Sequence, residues 1–191
     1  TPVVGMLGLL ERLEQRCDIG FAEAGDVVFG LGIAEARLAG SEYLSHVHGR
    51  VAGRPSIDLD FEVALQRFVR ELIRDGVLAS AHDCAEGGLA TAVTESAIRG
   101  GIGARIEGGW LAAATRPDTA LFGEAQSRIV VSVAPDAAAQ LERRAAGSDV
   151  PCVRLGTVGG GRLVIGPIDV ALAEAEATWS AGLARALAGE G

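Results

Sequence analysis

Ser80-Ala81-His82-Asp83-Cys84-Ala85-Glu86-Gly87-Gly88-Leu89-Ala90 passes from the end of a strand, through a paired-glycine turn, into a helix of small residues. A strand feeding a helix through so short a turn is the repeating unit of α/β architectures. The flanking sequence extends the pattern. Upstream, Leu59, Val63, Leu65, Phe68, Val69, Leu72 and Ile73 recur at helical spacing, with Asp58 as N-cap and Gly76 as stop, so a helix is predicted over 58–75. Before it, Val27-Val28-Phe29-Gly30-Leu31-Gly32 is a continuous apolar run with β-branched residues and reads as a strand buried on both faces.

Further strands are predicted at Val3–Leu10, Val77–Ala81, Ala104–Ile106 and Ser127–Val133, and a hairpin at Val150–Val158 and Arg162–Ile165 around Gly159-Gly160-Gly161. Helices are predicted near 88–99, 135–146 (opened by Pro135) and 170–187. Strands and helices alternate with no repeat period, which favours α/β layers around one mixed sheet.

The 191 residues suit one main domain with an appended element. Hydrophobic residues make up 49% and charged residues 22%, a soluble globular balance, and no apolar run approaches the roughly 20 residues of a membrane span. Net charge is −8, which argues against nucleic acid as a partner and leaves small anions bound locally. Cys17, Cys84 and Cys152 are too scattered for a disulfide framework or zinc knuckle, so a reduced, cytoplasmic protein is expected. All 17 basic residues are Arg, which removes a phosphate-loop Lys, a Schiff-base Lys and a Lys general base.

Three segments are candidates for ligand contact. Gly87 and Gly88 could offer free amides and a helix dipole to a phosphate, or let the helix pack closely on the sheet while Asp83 and Glu86 cap its first turn. Gly40 and Ser41 could present an amide and a hydroxyl, or Ser41 could simply cap a helix with Leu44 entering the core. Arg128 could contact an anion, or pair with Glu124 as a structural ion pair. His82 and Asp83, adjacent on a strand, point to opposite faces and make a poor acid-base dyad; Cys84 reads as a buried thiol. His46-Val47-His48 has strand-like spacing and no acidic or Cys ligand to complete a metal site.

Thr1-Pro2-Val3-Val4-Gly5-Met6, Gly25-Asp26-Val27, Gly40-Ser41-Glu42-Tyr43-Leu44, Ser80 to Ala90 and Gly123-Glu124-Ala125-Gln126-Ser127-Arg128, in this order, resemble the last quarter of phosphoribosylformylglycinamidine synthase large subunits. The resemblance covers nearly the whole chain. It implies a fold like the C-terminal domain of aminoimidazole ribonucleotide synthetase, α/β (α+β) with helices packed on a mixed sheet and partly ferredoxin-like. Residues 1–24 would be a remnant of a preceding ATP-binding domain, with few contacts to the core, and 25–191 the C-terminal α/β domain.

It also implies the reaction. ATP activates the formamide oxygen of formylglycinamide ribonucleotide, and ammonia from a glutaminase displaces phosphate to give the amidine. ATP and Mg²⁺ would be held by the preceding ATP-binding domains, and a glutaminase subunit and a small accessory subunit complete the assembly. No catalytic residue or metal ligand is implied in this chain, which would frame a nucleotide or substrate cleft without being catalytic alone. Candidate phosphate or ligand contacts are Gly40, Ser41, Gly87, Gly88 and Arg128. Ala39 stands where the family commonly has the first Gly of Gly-Gly-Ser-Glu, and Gly123 and Ala125 stand where Ser-Glu-Ser is common. The tail after Trp179 is similar to the natural end of the small bacterial form. A C-terminal domain of a paralogous synthetase or kinase, or a purely structural module, are the alternatives.

Overall fold

A computed structural model describes residues 3–32, 37–107 and 116–189; Thr1 and Pro2 of the segments quoted above, and the last two residues of the tail after Trp179, lie outside the described residues. Seven strands form one sheet: β1 (Val27–Gly32), β2 (Ser80–Asp83), β3 (Ala104–Ile106), β4 (Arg128–Val133), β5 (Cys152–Val158), β6 (Arg162–Ile165) and β7 (Ile168–Ala171). The helices are α1 (Glu42–His48), α2 (Leu59–Arg74), α3 (Gly88–Gly100), α4 (Pro117–Phe122), α5 (Ala138–Ala146) and α6 (Leu172–Ala188). The strand order is β2-β4-β1-β5-β3-β6-β7, antiparallel throughout except for the parallel β3–β6 pair.

Period-2 alternation divides the core between the two faces of the sheet. Along β1, Val28 points to one face with Val130 and Leu155, where α3 contributes Leu89, Ala92, Val93 and Ala97. Val27, Phe29 and Leu31 point to the other with Val131 and Val133, covered by Leu65, Phe68, Val69 and Leu72 of α2 and Leu141 of α5. Each of these large side chains contributes roughly 1.5–3 kcal/mol on burial. β1 is apolar without interruption because it is central and packed on both sides. The mixed sheet flanked by helices is the expected architecture.

The Asp58 carboxylate accepts from the Asp60 and Phe61 amides at 3.0 and 3.1 Å, and Gly76 takes a positive φ of +67° just past the end of α2. The caps read from sequence thus bound this helix.

Several local expectations are corrected. Val3–Leu10 forms no strand and lies exposed, since no neighbouring strand meets it. Residues 1–24 were expected to make few core contacts; residues 3–20 are largely exposed, but Phe21 is 2% exposed and donates its amide to Ser96 at 3.0 Å, and Asp18 accepts from Ala81. The apolar ring of Phe21 has a place in the core beside α3. The predicted strand at 77–81 is displaced to Ser80–Asp83, because the Val77 amide is used to close the end of α2 by bonding Leu72. The turn at residues 135–137 precedes α5, which starts at Ala138 rather than at Pro135.

β5 and β6 are not a hairpin. β3 lies between them, because the Gly159-Gly160-Gly161 loop wraps Gly103: Gly103 donates to the Gly160 carbonyl at 2.8 Å and Gly159 donates to the Gly103 carbonyl at 2.7 Å. The hairpin partner of β6 is β7, which occupies Val170 and Ala171, residues expected to begin the last helix; α6 starts at Leu172. His46 and His48 are on α1, a helix rather than a strand, and Leu44 is only half-buried, so it does not enter the core.

Candidate functional site

Three loops meet at the end of the sheet where β2 stops and β4 begins: Arg37–Ser41, Asp83–Gly88 and Gly123–Arg128. Each is set by local chemistry. Ser41 caps α1, its hydroxyl accepting from the Leu44 amide at 3.2 Å and donating to the Leu38 carbonyl at 2.7 Å. Tyr43 stacks on Phe122 with ring centroids 5.0 Å apart, which seats α1 on α4. Gly87 and Gly88 both take positive φ, +79° and +69°, a conformation open to glycine. A Cβ on Gly88 would lie 2.6 Å from the Gly123 carbonyl oxygen, so α3 approaches the Gly123 loop as closely as backbone permits.

The second and third of these loops, with α2, border a cavity of about 480 Å³ lined by Glu62, Asp83, Glu86, Glu124, Gln126 and Arg128. On the far side of the Glu124–Gln126 segment lies a smaller one of about 190 Å³, bordered by Arg37 and Arg54. Ser127, which adopts a positive φ of +60°, donates its hydroxyl to Glu62. That strained backbone fits against β1, where a Cβ on Gly32 would meet the Ser127 carbonyl oxygen at 2.0 Å.

The five candidate residues fall into two groups. The Gly40 amide donates to Ala52 at 2.8 Å, the Ser41 amide to Leu38 at 3.1 Å and the Gly88 amide to Ala85 at 3.2 Å. The Gly87 amide donates to the Glu124 carboxylate at 2.8 Å. All four backbone donors are thus engaged within the chain. Arg128 differs. The expected ion pair with Glu124 is not formed: Arg128 donates one bond, from Nη1 to the Gly123 carbonyl at 3.0 Å, and among the described residues it has no carboxylate partner. Glu124 turns instead to the amides of Gly87 and Glu42, each 2.8 Å from its Oε1. Desolvation pushes the Arg128 guanidinium below its ordinary value, only partly offset by the neighbouring Cys84.

Burial pushes the Cys84 thiol up to about 11, against the pull of Arg128, so it is protonated and inert at neutral pH, as the sequence reading expects. His82 Nε2 lies 3.0 Å from Glu95, which also accepts from the Trp179 indole at 3.3 Å. These bonds tie β2, α3 and α6; on its other side His82 Nδ1 lies 3.4 Å from the Asp83 carboxylate, so the two neighbours approach each other although adjacent strand residues were expected to point to opposite faces. His46 lies 3.2 Å from Glu42 on the same helix. Among the described residues no three His, Cys, Asp or Glu side chains gather into a metal-holding group.

Sequence reasoning missed Arg37 and Arg54, whose positions beside the second cavity carry no local motif, and the bond between Glu62 and Ser127. It also assigned Glu124 the wrong partner, for adjacency in sequence favoured Arg128.

The model of the family described as "AIR synthase related protein, C-terminal domain" matches residues 23–166. The chain is 49% identical over 166 residues to phosphoribosylformylglycinamidine synthase subunit PurL of Moorella thermoacetica, covering 86% of this chain and 22% of that protein. It is 43% identical over 192 residues to the PurL subunit of an Anaeromyxobacter species, covering 96% and 25%. The chain therefore spans about a quarter of the length of these relatives. Among solved structures, PurL of Thermotoga maritima complexed with FGAR superimposes with a TM-score of 0.72 at 20% identity, over 86% of this chain and 30% of that one. Thiamine-monophosphate kinase of Stenotrophomonas maltophilia gives 0.53 at 19% identity, over 80% and 53%; at such identities the likeness speaks to the fold alone. With the family model covering the sheet from β1 to β6 and all three loops, the chain belongs to the C-terminal domains of the AIR synthase related proteins.

Proposed function

We propose that this chain is the C-terminal domain of the large subunit of a phosphoribosylformylglycinamidine synthase, and that it frames the cleft in which the substrate phosphate is held. The sequence identity to PurL subunits supports the enzyme. The observation that carries the site is Arg128, partly desolvated, without a carboxylate partner among the described residues and lining a cavity between α2, the Asp83–Glu86 turn and the Glu124–Arg128 segment. A half-buried guanidinium with unused donors suits a phosphate. Gly40, Ser41, Gly87 and Gly88 hold the adjoining turns through their backbone.

In the whole subunit the reaction is ATP-driven conversion of formylglycinamide ribonucleotide and ammonia to the amidine, in the cytoplasm. ATP and Mg²⁺ are held by the preceding domains. A glutaminase subunit supplies ammonia and a small accessory subunit joins the assembly. The chain's part is to bind and orient.

The test is ammonia-dependent amidine formation by the full-length subunit with and without Arg128→Met. Loss of one charge-assisted contact raises KM for the ribonucleotide roughly 10- to 100-fold. An unaltered KM removes Arg128 from the site. A wild-type subunit that makes no amidine refutes the assignment of the enzyme, and activity in the isolated chain refutes its role as a non-catalytic frame.

A further inference from the structure

We infer that Glu124 is the positioning residue of the cleft, an internal anion that fixes both glycine turns and leaves Arg128 free for ligand; this rests on the functional reading above. Its Oε1 accepts from Glu42, the first residue of α1, and from Gly87, which opens α3, both at 2.8 Å. These donors lie 82 and 37 residues away in sequence. The first-turn amides of a helix lack intrahelical acceptors, and their positive ends favour a carboxylate.

The neighbours of Glu124 reinforce the arrangement. Its own amide donates to the Arg37 carbonyl at 3.0 Å, so the same residue reaches the third loop. The preceding residue, Gly123, supplies the carbonyl that holds Arg128 Nη1. One residue thus joins Arg37–Ser41, Asp83–Gly88 and Gly123–Arg128. The balance of charge matters equally. Glu62, Asp83, Glu86 and Glu124 all line the cavity that Arg128 enters, and a carboxylate turned toward Arg128 would neutralise the cation a ligand needs. Bonding to two helix amides turns the Glu124 carboxylate away from that role, and a serine or a shorter acid at 124 could not reach both.

The experiment uses the full-length subunit carrying Glu124→Ala or Glu124→Gln, with three readouts: amide hydrogen exchange at Glu42 and Gly87, KM and kcat for the ribonucleotide, and Tm. Glu124→Ala speeds exchange at both amides by about tenfold or more and raises KM about tenfold, with kcat within about threefold of wild type. Glu124→Gln keeps an oxygen acceptor for both amides and restores exchange and KM to within about threefold of wild type. If Glu124→Ala does not fold, Glu124→Asp, too short for both amides, takes its place with the same expectations.

Unchanged exchange, an unchanged KM, a fall in kcat alone, or equal damage from Ala and Gln each overturns the inference. A wild-type subunit without amidine formation defeats the functional reading instead, and hydrogen exchange then decides the positioning by itself.

Discussion

Replacing Gly88 by Ala isolates close packing from backbone strain, because the chain contains a matched control. Gly88 and Gly101 flank the same helix at nearly equal torsions, φ +69° and +68°. A Cβ at Gly101 meets nothing within 4 Å, whereas at Gly88 it falls 2.6 Å from Gly123 O, 2.9 Å from the Phe122 carbonyl carbon and 3.0 Å from Leu121 O. Holding an L-residue in the left-handed region costs roughly 1–2 kcal/mol at either site. Forcing a methyl group against backbone that cannot rotate away adds about 1–3 kcal/mol.

Gly101→Ala therefore loses about 1–2 kcal/mol and Gly88→Ala about 2–5 kcal/mol. At roughly 2–4 °C per kcal/mol for a chain of this size, Gly88→Ala melts about 2–12 °C below Gly101→Ala. Thermal and urea unfolding of the two variants, followed side by side by far-ultraviolet circular dichroism, measures the difference. Equal losses would refute the claim that α3 is seated against the Gly123 loop by the missing side chain.

At Gly87 the added Cβ would fall 2.2 Å from the Thr91 hydroxyl, a group that can rotate at the expense of its 3.0 Å bond to the Gly87 carbonyl. Gly87→Ala accordingly costs about 2–3 kcal/mol, strain plus one hydrogen bond, and urea midpoints place it between the other two glycine variants. The Ser80 and Ser132 hydroxyls are buried 2.7 Å apart. Ser132→Ala orphans its partner and costs about 1–3 kcal/mol, while the double alanine variant recovers most of the loss; additive losses in that cycle would show the pair uncoupled. Cys17, Cys84 and Cys152 are each pushed from 9.0 up to about 11, chiefly by burial, so the folded chain holds these protons more tightly than the unfolded one. Their contribution to stability is fully present below about pH 9 and is lost as pH rises through about 11; urea midpoints across that window fall less steeply in Cys84→Ala, and parallel slopes would exclude Cys84.

Elements defined by their own residues were legible in the sequence. Asp58 and Gly76 bound α2 because caps act within one turn, and Val27–Gly32 announces burial on both faces by its composition. Sheet order is another matter. The three glycines at 159–161 look like a hairpin turn locally, and only the distant Gly103 amide and carbonyl show that they receive β3. Ile168–Ala171 is too short to outweigh the alanine-rich helix that follows it. The three site loops could be found as glycine and cap motifs, but their joining could not. Glu124 stands four residues from Arg128, yet the amides that win its carboxylate come from remote helices whose positions depend on the finished fold.

The central strand has a history as well as a place. β1 pairs only with β4 and β5 among the described strands, and roughly a hundred residues separate Gly32 from Arg128. At a synthesis rate of about 5–20 residues per second, Val27 to Leu31 waits about 5–20 s on the growing polypeptide before either neighbour exists. Throughout that interval the chain carries an apolar, β-prone segment without its native complement, the kind of sequence that associates between molecules. A translation product arrested before Arg128 would thus hold the seed of the sheet with nothing to close on it.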